Sequence, residues 1–151
     1  MKKMIRPILK FFSMIVEYNF IWIIMGIYLY MTGQINLLYN VFFAILLVYA
    51  INTGVIKTII NRKRPYQDEN ETLDVDMIEP YGSSFPSNHT TIAVAVCGVL
   101  WLNDSILLFP SLIVAILMIM SKFYLKLNYV SDIIAGIIIG ALIALITIFV
   151  F

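Results

Sequence analysis

The sequence predicts an all-α, polytopic membrane bundle: about five transmembrane helices behind an N-terminal amphipathic segment. Three observations carry this prediction. Of 151 residues, 62% are hydrophobic and only 13% are charged, against roughly 45–50% and about 25% in soluble domains. The apolar runs recur at the length of about 20 residues that a helix needs to cross a bilayer. The charged residues gather in a few short segments between those runs. The length suits a single membrane domain, 1–151.

The opening "MKKMIRPILKFF" is charged and has no clean small-residue cleavage site. It reads as an interfacial segment and not as a cleaved signal. The first span covers about 11–32 and contains Glu17. A carboxylate inside a span is a functional hypothesis by default. An amphipathic helix over 1–17 would instead leave Glu17 near the headgroups, and this is the preferred reading. The second span covers about 36–60, and the third runs from Ser87 to Leu102. The fourth, about 105–125, carries Pro110 one turn in, where proline costs little. The fifth covers about 130–151. Between the second and third lies a polar segment, 61–84, with six of the nine acidic residues. Its Pro and Gly interrupt helix. It reads as a solvated loop, with a lid over a site as the alternative.

Charge narrows the function classes. A net charge of +1 gives no basic field for nucleic acid. One cysteine, Cys97, excludes an intrachain disulfide. All ten Lys and Arg fall on one side of the five-span arrangement: Lys2, Lys3, Arg6 and Lys10, then Lys57, Arg62, Lys63 and Arg64, then Lys122 and Lys126. The positive-inside rule places that face in the cytoplasm of a cell-membrane protein.

Three polar clusters return to that face. In "KTIINRKRP", Lys57 and Arg64 are seven apart, two turns along nearly one helix face, with Pro65 expected to stop the helix. Snorkelling at the membrane interface is the plainer alternative for both cations. In "FPSNHTT", Ser87 reads as a helix cap, and the free amides behind it suit an anion. His89, the single histidine, sits in that first turn. A lone histidine is more often structural, but this one enters a span beside an anion-ready helix end. The third cluster, "SKFYLKLNYVSD", holds Lys122, Asn128 and Asp132. Asp132 in a helix's first turn suits the macrodipole, and Ser131 or Asn128 would cap the last helix in the plainer reading. The helix from Ser87 crosses, "NDS" turns, and the next helix returns by Lys122, so His89 and Lys122 share a face. Three cations, one helix N-terminus and one titratable imidazole fit a tetrahedral oxyanion, because phosphoryl transfer needs positioning and charge stabilisation. His89 could protonate a leaving oxygen. No cluster of carboxylates with His or Cys marks a metal site, so the expected activity is a phosphatase without metal or cofactor.

These segments resemble the type 2 phosphatidic acid phosphatases, relatives of the vanadium haloperoxidases. The family signature is K-x6-R-P, then P-S-G-H, then S-R-x5-H-x3-D. Here it reads Lys57 to Arg64-Pro65, then Pro86-Ser87-Asn88-His89, then Ser121-Lys122, Asn128 and Asp132. The resemblance covers about 36–151 and implies that Lys57, Arg64 and Lys122 hold phosphate oxygens with Ser87, Asn88 and nearby amides. It implies His89 as general acid, and at 128 a nucleophilic histidine oriented by Asp132. It implies lipid phosphate or diphosphate substrates: phosphatidate, phosphatidylglycerol phosphate or polyprenyl diphosphate. Three positions depart. Lys122 replaces Arg and gives up the bidentate fork, and Asn88 replaces Gly. Asn128 replaces the nucleophile, and an amide cannot form a phospho-histidine. The pocket is therefore expected intact and its chemistry impaired or silent. A natural lipid-phosphate binder or transporter, an engineered trap, and attack by His89 or water all remain open.

Overall fold

The structure is a computed structural model and describes residues 20–68 and 82–150. The expected amphipathic segment over 1–17, with Glu17, and most of the acidic loop 66–80 lie outside the described residues. Every regular element described is helical. Five long helices follow the order of the expected spans: α1 (Phe20–Met31), α2 (Ile35–Ile59), α4 (Asn88–Leu102), α5 (Leu108–Tyr124) and α6 (Val130–Val150). A short helix, α3 (Pro65–Asp68), follows α2. By length and composition α2 and α6 can each cross a bilayer, while α4 and α5 have 15 and 17 residues.

Helix α4 is the axis of the bundle. It packs against α2, α5 and, most extensively, α6. Its residues Ile92, Ala93, Ala95, Val96, Val99 and Leu100 are buried together with Trp22, Met25 and Leu29 of α1 and Val41, Ala44 and Val48 of α2. The outward faces are apolar too: Ile27, Phe109, Ile113, Ile138 and Phe149 are all exposed. A helix that is apolar on every side suits hydrocarbon surroundings and not water.

The α4–α6 contact depends on small residues. A Cβ at Gly140 would lie 2.7 Å from the Thr91 carbonyl oxygen, and one at Gly98 would lie 2.5 Å from the Ala144 Cβ. Gly136, Gly140 and Ala144 recur every four residues along α6, so one stripe lets the backbones approach. Close packing of small residues is how membrane helices associate when the hydrophobic effect between them is weak.

Three helices end alike, and the last ending builds part of the site. After α1, Gly33 has φ +71°, its N–H donates to the Tyr30 carbonyl, and that of Gln34 donates to the Leu29 carbonyl. Asp104 (φ +50°) after α4 and Lys126 (φ +55°) after α5 occupy the equivalent left-handed position. In each case the next residue's N–H reaches back to the third residue from the helix end: Ser105 to Leu100 and Leu127 to Lys122. This pairing satisfies helix-end carbonyls and reverses the chain sharply. After α5 it folds Leu127 and Asn128 back over Lys122.

The expected continuous helix from Lys57 to Arg64 is corrected. Tyr49–Ile56 of α2 are π-helical, so the Lys57 N–H bonds the Asn52 carbonyl five residues back. The helix stops at Ile59, and Ile60 is extended. Lys57 and Arg64 therefore share no helix face. Pro65 starts α3 and does not end α2, because proline fits a first helical position where no N–H is needed.

Candidate active site

The three clusters meet through backbone hydrogen bonds and two buried serines. Lys57 Nζ donates to the Ser83 carbonyl at 2.6 Å. The Arg62 N–H donates to Ser83 Oγ at 3.1 Å, and the Ser84 N–H donates to the Arg62 carbonyl at 3.0 Å. Ser84 Oγ donates to the Lys63 carbonyl at 2.9 Å. These bonds attach the first cluster to the approach to α4. From the third cluster, the Asn128 amide nitrogen donates to the Ser84 carbonyl at 2.8 Å. The Leu127 carbonyl accepts from Arg64 Nη1 at 2.9 Å. Ser87 N–H donates to the Asp132 carbonyl at 3.2 Å. Segments more than 60 residues apart in sequence are joined in one knot on one end of the bundle.

His89 is half-buried in the first turn of α4, and the charges of Lys122, Lys57 and Arg64 all lie within electrostatic reach of it. Lys122 is 1% exposed and Arg64 5%. Burying cations this deeply is costly unless acceptors or anions meet them, and the Leu127 carbonyl is one such acceptor for Arg64. Ser87 stands at the N-cap position of α4 but makes no side-chain cap. Its hydroxyl instead accepts from Thr90 Oγ1 at 3.0 Å and donates to Asn128 Oδ1 at 3.4 Å. Ser87 thus holds the expected cap position without a capping side-chain bond, and its hydroxyl points toward residue 128.

The π-helical part of α2 braces the same turn. Asn52, fully buried, donates through Nδ2 to Thr91 Oγ1 at 2.9 Å, and Thr91 Oγ1 donates to the Ser87 carbonyl at 2.9 Å. Asn88, which stands in place of the family glycine, donates through Nδ2 to Thr53 Oγ1 at 2.9 Å. Its side chain therefore ties α4 to α2.

Asp132 is 0% exposed and its carboxylate does not meet Asn128. Oδ1 accepts from Arg62 Nη1 at 2.8 Å, and Oδ2 accepts from the Tyr129 N–H at 2.9 Å. The second bond is half of a capping box, in which a side chain at the third helical position bonds the residue before the helix. The last helix is thus capped by Asp132 and not by Ser131 or Asn128; Ser131 Oγ accepts from Arg62 Nη1 at 2.7 Å. Asn128 precedes α6, whereas Asp132 lies in its first turn. Sequence reasoning counted Arg62 only as a charge and passed over Ser83 and Ser84. The double serine just ahead of "FPSNH" was the available signal for the serines. Nothing in the pattern distinguished Arg62 from its basic neighbours.

The sequence model of the PAP2 superfamily matches residues 37–151, which contain all eight of these candidate residues. Among curated proteins no match is found. Among solved structures, the fold is similar to the crystal structure of the first transmembrane PAP2-type phosphatidylglycerolphosphate phosphatase from Bacillus subtilis. The TM-score is 0.68 at 19% identity, covering 97% of this chain and 76% of that one. At that identity the likeness speaks for the fold, an all-helical transmembrane bundle.

Proposed function

This chain belongs to the PAP2 superfamily, and from that premise we propose that it is a membrane protein whose pocket takes the phosphate or diphosphate of a lipid, with phosphatase chemistry impaired by Asn128. Lys57, Arg64 and Lys122 hold the phosphoryl oxygens, aided by the Ser87 hydroxyl and the amides of the first turn of α4. Oxygens that gain charge in the transition state are stabilised most by donors already in place. His89 delivers a proton to the leaving oxygen. In an active site of this kind a histidine at 128 attacks phosphorus, the bond to the lipid oxygen breaks, and water then releases phosphate. Asn128 cannot take the first step, because its amide nitrogen has no basic lone pair. The observation that carries the reading is the joining of the first and third clusters to the Ser83–Ser84 segment just ahead of His89, with Arg64 and Lys122 buried beside it in the knot. The lysine and arginine bias turns this face toward the cytoplasm.

The second reading is a lipid-phosphate binding or transport protein that never turns over. It is favoured by Asn128 itself, whose amide is spent on Ser84 and Ser87. Phosphate release from a panel of lipid phosphates and diphosphates, compared between the native chain and Asn128→His, separates the two. Loss of a nucleophile costs about a million-fold in other enzymes, so a phosphatase pocket gains orders of magnitude on Asn128→His. Activity in the native chain would overturn the role assigned to position 128. If neither protein releases phosphate yet the native chain binds orthovanadate, the binding reading stands. Substituting Lys57 or Arg64 by Ala must then abolish that binding.

A further inference from the structure

We infer that Arg62 is a positioning residue for this site, acting through Asp132 to fix where residue 128 lies over the phosphate pocket. The inference rests on the phosphate-pocket reading above and adds a residue that the motif spacing does not include.

A fully buried carboxylate requires a counter-charge or several donors. The family resemblance implies that Asp132 orients residue 128. In the structure its partner is Arg62, at 2.8 Å. The guanidinium is held from three sides by the start of α6: Nη1 bonds both Asp132 Oδ1 and Ser131 Oγ, and the guanidinium carbon stacks 4.0 Å from the centroid of the Tyr129 ring. Arg62 is itself fixed at the backbone, where its N–H and carbonyl both bond the Ser83–Ser84 segment. Ser84 is the residue whose carbonyl holds the Asn128 amide.

Two residues farther on, Arg64 bonds the Leu127 carbonyl. The two arginines therefore grip the 127–132 turn at its two ends, with Asn128 between them. A clamp of this form also explains how Asp132 is tolerated in the absence of a histidine at 128. Arg62 supplies the charge that an imidazolium would otherwise share, while remaining 36% exposed at the rim. Arginine suits the role because one planar group can donate to two acceptors and stack on an aromatic ring at once.

The test is orthovanadate affinity of the full chain in detergent, measured well below the unfolding temperature, for Arg62→Met, Arg62→Lys, Asp132→Asn and the double variant Arg62→Met/Asp132→Asn. The sign of one effect separates positioning from direct charge. If Arg62 attracted the anion directly, removing the Asp132 charge would tighten vanadate binding. If Arg62 works through Asp132, Asp132→Asn weakens it. The expected result is about a tenfold loss in each of Arg62→Met and Asp132→Asn, with no further loss in the double variant and an intermediate value for Arg62→Lys. Tighter binding by Asp132→Asn, additive losses in the double variant, or unchanged vanadate affinity with only a lower unfolding temperature would each overturn the inference. Should the native chain bind no vanadate, the phosphate-pocket reading fails separately. The positioning role then falls with it, whatever the unfolding temperatures of the Arg62 and Asp132 variants.

Discussion

Gly140→Ala tests whether the spacing of α4 and α6 is what holds the site together. The new Cβ would sit 2.7 Å from the Thr91 carbonyl oxygen, 2.9 Å from the Val94 Cβ and 3.1 Å from the Ala95 nitrogen. Two of these are backbone atoms and cannot rotate away. Carbon contacts are comfortable near about 3.5 Å, so α6 must retreat by roughly half an ångström or more. Overpacking of this kind costs about 1–3 kcal/mol. Alanine also gains about 1 kcal/mol of helix propensity over glycine, which would hide part of the loss. Gly26→Ala in α1 controls for that gain, because its Cβ meets only Leu38 Cδ1 at an ordinary 3.6 Å. The difference between the two variants is then the cost of the clash. For a chain of this size about 1 kcal/mol moves Tm by roughly 2–4 °C, so Gly140→Ala should unfold several degrees below Gly26→Ala. Orthovanadate affinity should fall with it. The retreat of α6 stretches the bond from Ser87 N–H to the Asp132 carbonyl, already 3.2 Å, and carries Asp132 away from the α4 N-terminus. The assay is thermal unfolding in detergent beside vanadate titration at a temperature where both variants are folded. Equal Tm values, or a Gly140→Ala chain that binds vanadate as tightly as the control, would refute the reasoning.

Two further substitutions address the site from other directions. Lys122→Met removes a cation that is 1% exposed while keeping much of its volume. Vanadate binding should drop at least about tenfold without a lower Tm, since buried charges are often replaced by apolar groups at no cost in stability; a large fall in Tm would mean that Lys122 is structural. Thr91→Val strips the Asn52 amide of its hydrogen-bond acceptor and should cost about 1–3 kcal/mol by chemical denaturation, whereas Thr91→Ser should cost less, and equal losses would show that the hydroxyl is not what matters.

The legible part of this protein was the local part. Apolar runs of span length located all five long helices, and the observed α4 and α6 begin within a residue of their expected starts. The fixed spacing of Lys57, Arg64, Ser87, His89, Lys122, Asn128 and Asp132 identified the family and the cations that gather near His89. The misreadings share one cause, the assumption of regular helix where the chain bends. The helix ends at Ile59, and an extended Ile60 separates Lys57 from Arg64. A left-handed Lys126 folds Asn128 back over Lys122, ahead of the helix that carries Asp132. Such backbone choices depend on long-range partners such as Asn52 with Thr91, 39 residues apart, which no local pattern encodes.

The sequence alone determined the hydrocarbon setting, the order of the helices, and which end of the bundle carries charge, because each follows from composition and period along one segment. It also determined that position 128 holds an amide and no imidazole. Tertiary structure decided the pairings. Asp132 answers Arg62, Asn128 answers Ser84 and Ser87, and glycines on α6 set the distance to α4. The physical reason is that a buried polar group must find whatever partner the packed backbone brings within reach. Its neighbour in a motif has no prior claim.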